Sequence, residues 1–226
     1  MVRAPGWPAV LDTAEEQWGL VTRRQIQSAG VAWSTVSRLV RTGALERYAH
    51  GVYRLHGAPP VDHLDLRAAW LQLDPATPAW ERRSESGVVS HRSAAAVYGY
   101  GDLPADVHEF TLPIRRQSRR NDVRLHRLSL AADDWEPVAG LPVARPHRIV
   151  ADLLADGHDL GAVAEIAASA LRDGRSTPDL LAENLSGFAA RYGLHDGDGD
   201  ALLAWLLDLA RTEPDSPSSA VGGSVS

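Results

Sequence analysis

The segment from Leu20 to Leu55 constrains the fold of this chain more than any other. Thr22 followed three residues later by Gln25 forms a reciprocal capping box, which predicts a helix from Arg23, and Gly30 ends it. In the next run Val36, Leu39 and Val40 recur at helical spacing and are assigned to the core. Ser34, Thr35, Ser37, Arg38 and Arg41 fall mainly on the opposite face, which is short, polar and basic. Gly43 closes this second helix, and Leu45–Tyr48 and Val52–Leu55 flank His50-Gly51 as two short strands. Two short helices joined at a glycine and followed by a tight hairpin are the layout of a winged helix-turn-helix. In such a unit the second helix enters a DNA major groove and the hairpin touches the flanking backbone.

Charge separates this reading from the alternative of a similar unit inside a larger enzyme. Residues 1–57 carry seven arginines (3, 23, 24, 38, 41, 47, 54) against four acids (12, 15, 16, 46), a net of +3, whereas the whole chain stands at −6. Residues 58–150 are balanced at twelve arginines and twelve acids, and residues 151–226 hold four arginines against thirteen acids. The basic residues are therefore concentrated where a DNA face needs them, and the acidic C-terminal region suits a protein partner or solubility. All 23 basic residues are arginine, which excludes any mechanism that needs a lysine, and the lack of cysteine excludes disulfides and thiolate metal sites. The first residues lack the apolar run of a signal peptide, and no stretch approaches the ~18 apolar residues of a membrane span, so the expected location is the cytoplasm, with no membrane partner.

Beyond the hairpin, Gly57-Ala-Pro-Pro60 reads as a linker, and Val61 to Leu73 as an amphipathic helix with Leu64, Ala68 and Leu71 on one face. Val88-Val89 is a short strand, and Ser90 is placed to cap a helix from about His91 to Tyr98. Val107–Leu112 and Val123–Leu128 are strand candidates joined by the polar loop Pro113–Asp122, with a short third at Leu141–Val143. Pro146 opens a helix carrying Ile149, Val150, Leu153 and Leu154, and three more helical stretches follow at about Leu160–Leu171, Pro178–Tyr192 and Asp200–Arg211. The expected class is α+β. A winged helix-turn-helix at 1–57 precedes a mixed α/β unit at 58–211 with a small antiparallel sheet and C-terminal helices, and residues 212–226 form a disordered tail.

The residues expected to contact double-stranded DNA are Arg23, Arg24, Trp33, Ser34, Thr35, Ser37, Arg38 and Arg41 on the helices, with Arg47, His50 and Arg54 on the wing. Arg115, Arg116, Arg119 and Arg120 form a candidate second basic patch. It has three open readings: a backbone-contacting loop, a surface for acidic residues, or a solvated hairpin tip. No catalytic, metal or cofactor site is expected. The nine histidines lack ligand spacing, and Ser90-His91 reads as a cap rather than a nucleophile and base, because adjacent residues at a helix start do not face each other. A DNA-associated nuclease with a restriction-like second domain needs two or three carboxylates on paired strands, and Glu109 is the one acid on a predicted strand beyond the wing. A one-component regulator that senses a small ligand remains a further alternative, with no marked pocket.

Taken in order and spacing, these segments resemble the AbiEi family of antitoxins from type IV, abortive-infection toxin-antitoxin systems, over about residues 8 to 210. The marks are Gly30-Val31, Arg41-Thr-Gly-Ala-Leu45, Gly51-Val-Tyr-Arg54 and Ser90-His-Arg-Ser-Ala-Ala95. Val123-Arg-Leu-His-Arg127, Gly140-Leu-Pro-Val143 and Pro146-His-Arg148 with Asp152 follow. Ala32 stands where the family often has Ser or Thr, and Ala144-Arg-Pro-His-Arg-Ile149 replaces a Thr-x-Pro-x-Arg-Thr pattern, which weakens helix caps. The resemblance implies a transcription factor that binds its own operator, represses its operon and counteracts a nucleotidyltransferase-like toxin without necessarily touching it.

Overall fold

The structure, a computed structural model, describes residues 6–212. Its N-terminal unit begins with α1 (Trp7–Glu16), absent from the expectation above, and a short strand β1 (Leu20–Thr22). The helices α2 (Arg23–Ser28) and α3 (Trp33–Arg41) and the hairpin β2 (Leu45–Ala49) and β3 (Val52–Leu55) follow as read from the sequence. The three strands pair antiparallel in the order β1-β3-β2, which is the helix and strand order of a winged helix. The Thr22–Gln25 capping box is formed in both directions, and Gly51, at φ 70°, supplies the left-handed residue of the two-residue wing turn.

Pleating gives this small sheet two different neighbours. Val21, Leu45 and Tyr53 face the helices and join Val10, Ala14, Ile26, Val31 and Val36 in one core. Leu20 and Val52 face the other way and belong to the core of the second unit. Of the three residues assigned to the inner face of α3, only Val36 is buried; Leu39 is half-buried and Val40 is exposed. The core here is a handful of side chains, and the last turn of α3 runs past its edge.

The second unit holds a five-stranded sheet in the order β6-β5-β4-β8-β7, built from β4 (Val88–Val89), β5 (His108–Leu112), β6 (Val123–Arg127), β7 (Trp135–Val138) and β8 (Leu141–Ala144). The α+β class holds, but this sheet is mixed where a small antiparallel one was expected. β4 pairs antiparallel with β5 and parallel with β8, and β5 pairs parallel with β6. The segment Pro113–Asp122 is therefore a crossover that returns along the strand pair, and not a hairpin tip.

Helix α4 (Leu64–Leu73) lies between the wing sheet and β5. It buries Leu66 through Leu71 and Leu73, so it is covered nearly all round and is not the amphipathic helix that its spacing predicts. The opposite side of the large sheet carries α5 (His91–Tyr98) and α6 (Pro146–Ala155), with α7 (Leu160–Arg172), α8 (Pro178–Leu185) and α9 (Gly199–Thr212) packed beyond them. The stretch read as one helix to Tyr192 splits, with a 3-10 segment over Ser186–Tyr192. At Gly199 a side chain would lie 1.8 Å from the carbonyl oxygen of Ala182, so glycine is what lets α9 start against α8. Helix α9 includes Thr212, the first residue of the expected tail, and 213–226 lie outside the described residues.

The two units are fastened together. Trp18 packs edge-on against Trp70 and donates to the carbonyl of Ala139, and the Arg67 guanidinium lies 4.4 Å from its ring centroid. Gln17 accepts from the backbone N–H of Ala79, Gln25 donates to Thr77, and the Thr22 hydroxyl donates to the carbonyl of Pro75. Because Leu20 and Val52 are fully buried in the second core, the winged unit carries apolar surface that is covered only by its neighbour.

Candidate nucleic-acid interface

The first turns of α2 and α3 and one face of the wing converge on a single exposed surface. Arg23 and Arg24 open α2 and are exposed, as are Trp33, Ser34, Ser37, Arg38 and Arg41 on α3; Thr35 is half-buried. The Arg23 guanidinium sits 4.3 Å from the centroid of Trp33, and Trp33 meets the buried Tyr53 edge-on at 6.3 Å. This stack ties the starts of both helices to the middle of the wing. Trp33 remains 45% exposed, enough to keep one edge open to a partner. Arg47 pairs in register with Tyr53 and so projects on this same side of the sheet. Among the described residues, none of Arg23, Arg24, Arg38, Arg41 and Arg47 forms an ion pair, so the surface keeps its positive charge.

Arg54 departs from this arrangement. Its register partners are Leu20 and Glu46, which places it on the opposite face of the wing, and its Nη2 donates to the carbonyls of Ala58 and Pro59. Expected at a phosphate, it instead holds the linker against the wing. His50 is exposed at the wing turn, and its carbonyl accepts a hydrogen bond from Gln72 Nε2 at 2.7 Å. In the crossover, Arg115, Arg116 and Arg119 are exposed, whereas Arg120 pairs with Asp122 and donates to Gln72.

A second polar cluster lies under α5, and sequence spacing did not reveal it. Glu109 on β5 is fully buried and caps the start of α5, accepting from the backbone N–H of Arg92 at 3.1 Å and from its guanidinium at 3.2 Å. Arg124 and His126 on β6 lie 3.5 and 3.4 Å from the other carboxylate oxygen. Burial alone would raise the Glu109 carboxyl, but the close approach of His126 and the Arg92 guanidinium outweighs it and holds the group near 2. Ser90 is therefore not the side-chain cap that its position predicts. Its hydroxyl accepts from Thr111 and lies 3.0 Å from His91 Nδ1. His91 also has a left-handed φ of 51°, a backbone uncommon for a residue other than glycine.

The imidazoles of His91 and His126 stack at 3.5 Å between ring centroids, and with Asp156 they offer ligand atoms within 4.8 Å of one another. A nitrogen lone pair lies in its ring plane, so rings tilted by 15° direct their lone pairs side by side and not to one point. Joint ligation at about 2.1 Å would require one ring to turn. Burial and the neighbouring His126 push His91 down to about 4, so it is neutral at pH 7. Asp152 pairs with Arg148 through one oxygen, and its other oxygen is buried with no hydrogen-bond partner. These residues are far apart in sequence, and the available signal was polar residues inside strands of apolar character, Glu109 and Thr111 in β5 and His126 in β6.

β7, also missed from sequence, adds a second acid to the strands of this larger sheet, Glu136, which accepts from the Tyr98 hydroxyl and pairs with Arg175. Both strand carboxylates are thus engaged by cations or hydroxyls. No curated protein matches the chain. A family model described as "Transcriptional regulator, AbiEi antitoxin" matches residues 8–56, which span the helices and wing that build the basic surface. The N-terminal region of this chain is thus similar to that of AbiEi antitoxin transcriptional regulators.

Proposed function

We propose that this protein is a cytoplasmic DNA-binding antitoxin that represses its own operon and counteracts a nucleotidyltransferase-like toxin. The observation that carries this reading is the unpaired basic surface formed by α2, α3 and the wing, within the region that matches the regulator family. In this reading Ser34, Ser37, Arg38 and Arg41 approach base edges in the major groove, with Thr35 at the margin. Arg23, Arg24, Arg47 and His50 meet phosphates, and Trp33 packs against the sugar-phosphate edge. Arg54 takes no part. Residues 58–211 carry the antitoxin activity, whose toxin is a functional partner with no requirement for direct contact.

The protein is proposed to have no catalytic activity and no cofactor. Two features support this: Ser90 has no exposed surface, and the Glu109 carboxylate is committed to Arg92, Arg124 and His126. Among the described residues no helix is long and apolar enough to cross a membrane.

The test is a reporter driven by the chain's own upstream region, together with co-expression of a candidate nucleotidyltransferase-like toxin. Full-length protein is expected to lower reporter output and restore growth, and the purified chain is expected to leave DNA and RNA intact with magnesium or manganese. Metal-dependent cleavage abolished by Glu109→Gln would overturn the reading in favour of a nuclease.

A further inference from the structure

The arginine crossover of the second unit is joined to the wing turn through a single side chain. Gln72 on α4 donates from Nε2 to the carbonyl of His50, and its Oε1 accepts from Arg120. One carboxamide therefore spans from the tip of the wing to the base of the crossover. Arg120 is fixed from its other side by Asp122, the first acid after Glu109 and the only one between Pro113 and Val123. Because β5 and β6 pair in parallel, this segment has to run back along the sheet. Residues 116–120 then lie over Ala69, Gln72 and Leu73 of α4, the helix on which the wing itself is docked. The anchoring arginine is committed, while Arg115, Arg116 and Arg119 are exposed and, among the described residues, form no ion pair.

Resting on the DNA-binding reading above, we infer that Arg115, Arg116 and Arg119 form a second backbone clamp, continuous with the wing, which grips phosphates of the duplex outside the winged-helix footprint. Three properties support DNA as the occupant. The loop adjoins the wing turn, to which Gln72 ties it through Arg120. Its three exposed arginines add positive charge beside that turn. An exposed irregular loop of arginines can follow a backbone without reading bases, which is the chemistry of positioning contacts. The consequence is that the second unit contributes to DNA affinity while leaving the sequence preference to α3.

The test uses the full chain and a triple variant, Arg115→Ala, Arg116→Ala and Arg119→Ala. Binding is followed by fluorescence anisotropy on duplexes from the chain's own upstream region. A long duplex extends past the winged-helix footprint on both sides, and a short one is trimmed to it. The triple variant is expected to bind the long duplex at least about tenfold more weakly, with specific and shuffled sequences weakened alike. Its salt slope should be lower by roughly 0.9 for each phosphate that is no longer neutralised, and its affinity for the short duplex unchanged. Wild-type affinity for both duplexes, while Arg38→Ala with Arg41→Ala abolishes binding, would overturn the clamp and leave the DNA reading standing. If neither variant changes binding, the DNA reading itself fails. Loss of toxin neutralisation or RNA binding by the triple variant, with DNA binding intact, would assign the loop to another partner and also overturn the inference.

Discussion

Arg23 lies over the indole of Trp33 with its guanidinium carbon 4.3 Å from the ring centroid, joining the first residue of α2 to the first residue of α3. An exposed cation-π pair of this kind contributes about 0.5–1 kcal/mol. Here it also fixes the relative position of two helix starts that are proposed to straddle one groove. Arg23→Ala and Trp33→Ala should each weaken DNA binding, and the double variant should lose less than the two single losses together. A double-mutant cycle by anisotropy measures this coupling, and strict additivity would show that the two side chains act independently.

The helix and wing arginines should separate by role. Arg38→Ala is expected to cost ~1–3 kcal/mol on the preferred sequence and to relax preference at one base position. Arg47→Ala should weaken preferred and random DNA by a similar factor. Arg54→Ala should leave DNA affinity unchanged and lower folding stability, because its partners are the carbonyls of Ala58 and Pro59. Equilibrium binding to preferred and shuffled duplexes, with urea unfolding of the same variants, distinguishes the three patterns.

Trp18 should be a structural joint. Its ring contacts Trp70, Arg67 and the Ala139 carbonyl, all in the second unit. Trp18→Ala is expected to destabilise the chain by about 2 kcal/mol, within the usual range for loss of a packed side chain. It should also split urea unfolding into two transitions as the units uncouple. A single transition at the wild-type midpoint would show that the docking contributes little.

Stability should fall with acid in two stages. His91 is held near 4 when folded, below its ordinary 6.5, so the unfolded chain binds the proton first. The stabilisation by neutral His91 is complete above pH 6.5 and is lost as pH falls from 6.5 toward 4. Glu109, held near 2 against an ordinary 4.5, adds a second loss as pH falls below 4.5. Asp152, raised by its burial, gains a proton more readily when folded and offsets part of that loss. Urea unfolding between pH 7 and 4 should show His91→Gln with a shallower decline than wild type. Equal slopes would remove His91 from this account.

The winged unit is legible in the sequence because its signals are local: a capping box, two glycine stops and a two-residue turn each act within a few residues. The elements that the sequence hides depend on distant partners. β1 is three residues long and exists by pairing with β3, and β7 by pairing with β8. The crossover reads as a hairpin because a polar loop between two strands carries no mark of strand direction. Arg54 reads as a DNA contact because alternation alone does not say which face of a hairpin is covered, and that is decided by α4. The His91–Glu109–His126 cluster is assembled from α5, β5 and β6, and its key turn, the left-handed backbone at His91, is not a conformation that histidine signals.

The most direct measurement is the affinity of the full chain for its own upstream region against a shuffled duplex, for wild type and for the double variant Arg38→Ala, Arg41→Ala. The wild type is expected to prefer the upstream region. The double variant is expected to lose at least about tenfold on that duplex and less on the shuffled one, as follows from removing base-edge contacts. Equal affinity of wild type and double variant for the upstream region would contradict the account, because it would take α3 out of the DNA interface.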